Sequence, residues 1–283
     1  LTTLLAGLGW IFSKEAIAGL PPIGFLGMRF LLASLFLFPF CYREFKQISW
    51  QQIRTAALVG GILGLAVMLW VYAISITSSL AEGAFISSLS MLMVPIVAWV
   101  LFKQTPARMF WASLPIAIGG LFMLAVGNGF HPEVSQIWFL MSALCLAIHF
   151  NFNAKYAASI PSLVLVCIQM FSAGIIASSV SLMIEDLPHD VTPQIWGWFF
   201  LSVILATSLR YVMQTLGQKR TTPGNAAIIM ILEPVWASSF SVLWYGESLQ
   251  LSKIIGCLLI LTSLFVYRGG PRLLERVMKN KST

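Results

Sequence analysis

Charge is the scarcest ingredient of this sequence. Asp, Glu, Lys and Arg together make up 10% of its 283 residues, where an ordinary soluble domain carries about 25%. That shortage, set against 58% hydrophobic residues, excludes a soluble globular fold. Cysteine is equally sparse. Cys41, Cys145, Cys167 and Cys257 stand singly in apolar stretches, with no C-x-x-C and no spacing for zinc or a disulfide framework, so they read as small packing residues. Histidine occurs once within the apolar segments and aspartate not at all, and there is neither an H-E-x-x-H nor an ATP-binding motif. A membrane-embedded hydrolase, which needs a nucleophile with its base, paired aspartates or a metal, is disfavoured, and no cofactor or metal site is expected. No extramembrane domain fits either, since ten spans of roughly 20 residues take about 200 and leave short loops. Leu1 is not a start methionine and already lies in an apolar run, so a few residues are expected upstream.

Ten continuous apolar segments are present, at 1–19, 23–42, 55–76, 80–102, 108–126, 135–155, 162–184, 193–217, 223–245 and 251–268. Their continuity predicts helices rather than the alternating strands of a barrel. The net charge of +7 could suggest nucleic acid, but the basic residues are dispersed. Thirteen of the 17 fall on one set of alternate loops: Arg43, Lys46, Arg54, Lys103, Arg108, Lys155, Lys219, Arg220, and the tail from Arg268 to Lys281. The other set holds Lys253 with Glu133, Glu185, Asp186, Asp190 and Glu247. The excess of Lys and Arg marks the cytoplasmic side, so both termini are predicted cytoplasmic.

Division near residues 128–134 gives two halves of five segments, 1–127 and 135–268, followed by a basic tail, 269–283. An odd number per half inserts the halves upside down relative to each other. The expected fold is therefore an all-α membrane protein of ten transmembrane helices in two inverted five-helix repeats. Sequence support is faint: an offset of 140 pairs Pro21 with Pro161 and Arg29 with Gln169, an offset of 143 pairs Ser79–Ala84 with Thr222–Ala227, and 139 pairs Pro95 with Pro234.

Ionisable groups cost about 2.5 to 3.5 kcal/mol at mid-membrane, so those in the segments are candidate site residues. Glu233 lies about ten residues into the ninth segment and precedes Pro234, which cannot donate to the Met230 carbonyl and should kink the helix. Glu233 is either a lock between helices, a substrate contact, or a proton carrier. Arg29 is placed to snorkel, to pair with Glu233 or Glu82, or to bind a carboxylate. Arg210 and Gln214 share a helix face, with Arg210 read mainly as a headgroup or loop-carbonyl contact. His149 and Asn153 share another, and Lys14 with Glu15 reads as an interfacial pair. Trp10, Trp70, Tyr72, Trp99, Tyr211, Trp236 and Trp244 could line a pocket; Trp10 and Trp236 lie deepest. Gly60-x-x-x-Gly64, Gly174-x-x-x-Ser178 and Gly119-Gly120 permit close helix contact, and Pro39, Pro95 and Pro115 suggest bends.

The run Gln218-Lys219-Arg220-Thr221-Thr222-Pro223-Gly224-Asn225-Ala226-Ala227, then Leu232-Glu233-Pro234-Val235-Trp236 and Tyr245-Gly246-Glu247, resembles the last repeat of EamA-type carriers of the drug/metabolite transporter superfamily. Gly9-Trp10, Lys14, Pro21-Pro22 and Met28-Arg29-Phe30 resemble the start of the first. The first repeat departs from the pattern with Phe102-Lys103-Gln104 in place of Gly-Glu, and Glu82 stands where the second has Asn225. The resemblance implies ten helices around a central cavity, alternating access, and mostly export of amino acids or related metabolites. It singles out Trp10, Arg29, Asn225, Glu233 and Pro234.

The resulting expectation is a secondary transporter in a bacterial inner membrane. It takes a small-molecule substrate, has Glu233 and Glu82 as candidates for proton coupling, needs no cofactor and no nucleic acid, and works as a monomer or homodimer. The substrate set is Trp10, Arg29, Tyr72, Glu82, His149, Asn153, Tyr211, Gln214, Asn225, Glu233 and Trp236, with Pro95 and Pro234 as bending points. A channel-like facilitator or an importer is the alternative, a membrane-embedded enzyme the remoter one.

Overall fold

The computed structural model describes residues 1–77, 80–126, 133–186, 191–245 and 251–280, without the side chains of 80–82, 84, 85, 124–126, 241, 253 and 268–280. The expectations for Glu82, Asp190, Glu247, Lys253 and the basic residues from Arg268 onward therefore fall on side chains outside the described residues. The repeat boundary falls largely outside them too.

Helices account for every regular element among the described residues. They are α1 (Thr2–Ile17), α2 (Pro22–Phe45), α3 (Trp50–Ile76), α4 (Leu80–Phe102), α5 (Arg108–Val126), α6 (Val134–Tyr156) and α7 (Ser162–Ile184). After these come α8 (Pro193–Leu201), a π-helical segment (Ser202–Leu209), α9 (Arg210–Lys219), α10 (Pro223–Met230), α11 (Glu233–Tyr245) and α12 (Leu251–Asn280). Among the described residues, six stretches are long and apolar enough to cross a bilayer: 22–45, 50–76, 134–156, 162–184, 193–219 and 223–245. Shorter apolar helices cover 86–102, 108–123 and 254–267. The last helix continues through the expected tail as far as Asn280.

Local chemistry explains the ends. Pro22, Pro193 and Pro223 sit in first turns, where a missing N–H costs nothing. Ser49 and Gln52 form a reciprocal capping box on α3. Glu185, just after α7, accepts from the backbone N–H of Ile23 at 2.9 Å and Gly24 at 2.7 Å, so a carboxylate closes the N-terminus of α2. Lys103, with φ of 57°, is the one non-glycine residue in the left-handed region among those described. It ends α4 in a glycine-type turn, with Lys103 N–H on Trp99 O and Gln104 N–H on Ala98 O. Lys103→Gly should remove the Cβ strain and raise stability by about 1 kcal/mol, read as a higher thermal midpoint in detergent.

Pro39, Pro95 and Pro115 lie inside unbroken helices, whereas two interruptions fall in the second half. Between α10 and α11, Ile231 and Leu232 leave the helix with i→i−3 bonds to Ile228 and Ile229, and the chain restarts at Glu233-Pro234. The π segment widens the run 193–219, and the hydroxyls of Thr207 and Ser208 donate to carbonyls five residues back, at 2.9 and 2.8 Å. Nothing in the sequence announces that widening.

Helix neighbours repeat. The pair α1 with α11 is matched by α6 with α4, α1 with the run 193–219 by α6 with α3, and α2 with that run by α7 with α3. The pairs α2–α7, α5–α12 and α4–α10 map onto themselves when the halves are exchanged. Small residues make the closest crossings. A Cβ on Gly60 would lie 2.6 Å from the Gln169 backbone, on Gly174 2.7 Å from Leu31 N, and on Gly120 2.9 Å from Gly256 O. Gly119 faces open space, so that pair contributes one contact residue.

Candidate functional site

The restart at Glu233 places a carboxylate in the first turn of α11, where four N–H groups lack intrahelical acceptors and negative charge is favoured. Across the interface, Trp10 of α1 donates from Nε1 to Glu233 Oε1 at 3.1 Å. Arg210 of α9 reaches Oε2 from Nη2 at 3.4 Å. The Arg210 and Glu233 side chains keep 18% and 22% of their surface, so the pair is approachable rather than sealed. Arg210 is thus not the headgroup contact expected from its sequence position; the wide π turn before it directs it to the broken helix. Its guanidinium also lies 4.8 Å over the Tyr211 ring, and the Tyr211 ring meets Phe30 edge-on at 6.3 Å.

Arg29 does not reach Glu233. Only 7% exposed, it donates from Nε to Thr207 Oγ1 and from Nη1 to Ser13 Oγ at 2.9 Å, tying α2 to the π segment and α1. Among the described residues no carboxylate lies within salt-bridge distance, so its charge is held by neutral acceptors. The cluster of Arg29, Arg210 and Glu233 accordingly carries one positive charge in excess.

A second, neutral network lies on α6, α7 and α9. His149 Nε2 donates to Gln169 Oε1 at 2.8 Å, an acceptor-only atom that selects this tautomer, and Gln169 Nε2 donates to Asn153 Oδ1 at 2.7 Å. Asn153 Nδ2 reaches Thr215 Oγ1 at 3.1 Å and Gln218 Oε1. Its geometry repeats the first: Arg29 to Ser13 and Gln169 to Asn153 each span 16 residues, and the two pairs are related by the offset of 140 that relates Pro21 and Pro161.

On α9, Arg210, Gln214 and Gln218 recur every fourth residue and so share one face that joins the two networks. Gln218 is committed to Asn153 and to the Phe150 carbonyl. Gln214 is buried with Oε1 unpartnered, and Arg210 Nε is unpartnered too.

The aromatic expectations divide. Trp70, on α3, packs edge-on against Trp10 at 4.9 Å and joins the Glu233 cluster. Tyr72 does not: it is 45% exposed and turned to Trp138 at 5.3 Å. Trp236 follows Glu233 by three residues, stacks on Phe240 at 6.2 Å, and backs on Gly7, whose missing Cβ lets α1 and α11 approach. Asn225 stands apart at the start of α10, where its Oδ1 accepts from Tyr267 at 2.6 Å. Pro95 packs on Gly224, joining α4 to α10. Sequence reasoning missed Ser13, Thr207, Thr215 and Gln218, whose hydroxyls and amides carry no charge penalty to flag them. Gln169 had one signal, its alignment with Arg29. Among the described residues no His, Cys, Asp and Glu group could hold a metal ion.

The EamA-like transporter family matches residues 1–126 and 134–268, one match in each half. An uncharacterized transporter of Archaeoglobus fulgidus is 23% identical over 94% of this chain and 83% of its own. The uncharacterized inner membrane transporter YicL of Salmonella typhimurium is 25% identical over 84% and 82%. A crystal structure at 16% identity superposes with a TM-score of 0.81, covering 97% of this chain and 96% of its own, a likeness of fold alone.

Proposed function

Because the chain belongs to the EamA-like transporter family, a membership that makes it a multi-pass membrane transporter, we propose that it is a secondary carrier exporting small amphipathic metabolites such as amino acids. In this reading ten crossings form two inverted five-helix repeats that rock about a central site. The exchangeable helix neighbours and the common 140-residue offset of the two polar networks support it. The placement of Lys and Arg on alternate loops supports a bacterial inner membrane with both termini cytoplasmic.

The observation that carries the site assignment is Glu233 at the restart of a broken helix, held by Trp10 and Arg210 beside the buried Arg29. Interrupted helices present unpaired backbone groups at mid-membrane and are where carrier substrates bind. The net positive charge suits a substrate carboxylate; Trp10, Trp70 and Trp236 suit its apolar part, and the Gln214 amide a further polar group.

Purified protein reconstituted into liposomes and offered a panel of amino acids and aromatic metabolites should show saturable flux and counterflow. No transport in either direction across the panel overturns the reading, and flux without counterflow makes the protein a channel-like facilitator. Glu233→Gln tests proton coupling. Loss of accumulation driven by a pH gradient, with counterflow kept, identifies Glu233 as the proton carrier; retained accumulation excludes it.

A further inference from the structure

The two ends of the helix pairs flanking the site carry matching latches. Helices α1 and α11 run parallel, because their two outermost contacts, Gly7 with Trp236 and Glu15 with Tyr245, advance together along both helices, while the long Trp10 side chain reaches back to Glu233. At their common C-terminal end Lys14 Nζ lies 4.1 Å over the Tyr245 ring, and the Tyr245 hydroxyl donates to Glu15 Oε1 at 2.8 Å. Both residues of the expected interfacial pair thus hold one tyrosine. Trp198 adds a neighbouring aromatic brace, stacked on Phe12 at 5.9 Å and edge-on to Trp244 at 5.3 Å.

Helices α4 and α6 are parallel on the same grounds, with Gly83 against Phe139, Val94 O accepting from Asn151, and Phe102 against Phe152. At their common C-terminal end Lys155 Nζ lies 4.9 Å over the Phe102 ring and 5.6 Å from that of Tyr156, while Phe152 meets Phe102 edge-on at 5.5 Å. The offsets that relate the halves carry one latch onto the other. Adding 143 takes Phe102 to Tyr245, and adding 140 takes Glu15 to Lys155, next to the residue matching Lys14. Chain reversal between successive crossings points α4 and α6 opposite to α1 and α11, so the latches close opposite ends of the bundle.

We propose that these cation–π contacts are the two gates of the transport path: Lys14 and Glu15 on Tyr245 at the outer end, Lys155 on Phe102 at the inner end. The inference rests on the alternating-access reading above. Lysine over an aromatic ring suits a gate that opens once per cycle, because the ammonium at the end of its flexible stem can exchange the ring for water and headgroups. The gates differ in strength. Tyr245 adds a hydrogen bond to a carboxylate that Phe102 cannot make, so the outer gate is the tighter and the resting carrier opens inward more readily.

The test follows labelling of single reporter cysteines, with the four native cysteines replaced by serine. Ser238→Cys lies two turns before Tyr245 on the same face of α11, and Ile148→Cys two turns before Lys155 on α6. In proteoliposomes of defined orientation, without substrate, a membrane-impermeant maleimide is applied from each side in turn. Lys14→Leu with Tyr245→Leu should raise labelling of Ser238→Cys from the outer side about three- to tenfold and lower that of Ile148→Cys from the inner side. Lys155→Leu should do the reverse, and Tyr245→Phe, which keeps the ring, should give a smaller outward shift. Unchanged rates, or rates at both ends rising together, overturn the proposal, the latter showing loosening rather than gating. A thermal midpoint within a few degrees of the parent is the entry condition, and Tyr245→Phe supplies the reading if the leucine variants miss it. Because no substrate is present, the labelling reads the two contacts separately from transport: unchanged rates in a protein that transports overturn the gates alone, whereas opposed shifts in a protein that transports nothing overturn the carrier reading and with it the gating role, leaving two latches between alternative conformations.

Discussion

Glu233→Ala is expected to destabilise the protein by about 3 kcal/mol and to reduce transport at least a hundredfold. The reason is Arg210. Its guanidinium has one carboxylate partner among the described residues, and removing that partner leaves a cation in a low-dielectric setting, where breaking such a pair typically costs about 3 to 5 kcal/mol. Trp10 loses the acceptor of its indole N–H at the same time, adding roughly 1 kcal/mol. Partial exposure of the pair lowers its own share below that range, which brings the total to about 3 kcal/mol. The thermal midpoint and the initial rate in proteoliposomes measure the two effects. Arg210→Met combined with Glu233→Met removes both charges and should recover most of the stability without recovering transport. A double variant as unstable as the single one would mean that Glu233 holds the fold through Trp10 and the helix restart instead.

Arg29→Ala should abolish transport and lower stability by about 3 kcal/mol or more. Two charge-assisted hydrogen bonds, worth roughly 1.5 to 3 kcal/mol each, are lost with a buried side chain that fixes α1, α2 and the π segment together. Arg29→Lys is the sharper variant. It keeps the charge but not the fork that meets Thr207 and Ser13 simultaneously, so α1 and the π segment lose their common tie while the field at the site survives. Lysine should therefore restore substrate affinity more than turnover, seen as a KM near the parent value with the maximal rate reduced tenfold or more. Full activity with lysine would assign Arg29 to charge alone. Gln169, its counterpart in the other half, offers a control: Gln169→Ala leaves His149 Nε2 and Asn153 Oδ1 without partners but changes no charge, so its effect should fall on stability more than on affinity.

Much of the architecture was legible along the chain because lipid imposes a simple rule. Every backbone polar group must be satisfied inside its own helix, so runs of apolar residues read directly as helices, and the helices observed follow the expected segments within a few residues at most ends. The broken helix was legible too, since Pro234 removes a donor wherever it stands. Partner choice was not. Arg29 was the arginine expected to reach Glu233, with Arg210 read as a headgroup or loop-carbonyl contact, because neither hydropathy nor spacing ranks two arginines on different helices. The π segment decided between them, turning Thr207 toward Arg29 and Arg210 toward α11. Tyr72 and Trp70 illustrate the same limit. Two residues apart on one helix they face about 200° apart, and only packing against α1 shows which belongs to the site.

The sequence by itself determined the class, the helices and the family, because composition, periodicity and the Glu-Pro signature are one-dimensional properties fixed by short-range chemistry. The tertiary structure alone decided that Glu233 pairs with Arg210 and that Arg29 rests on hydroxyls. It alone also brought Lys14 and Lys155 onto equivalent rings. Those contacts join residues as far apart in sequence as Lys14 and Tyr245, and the directions of helix axes and the width of a single π turn select them.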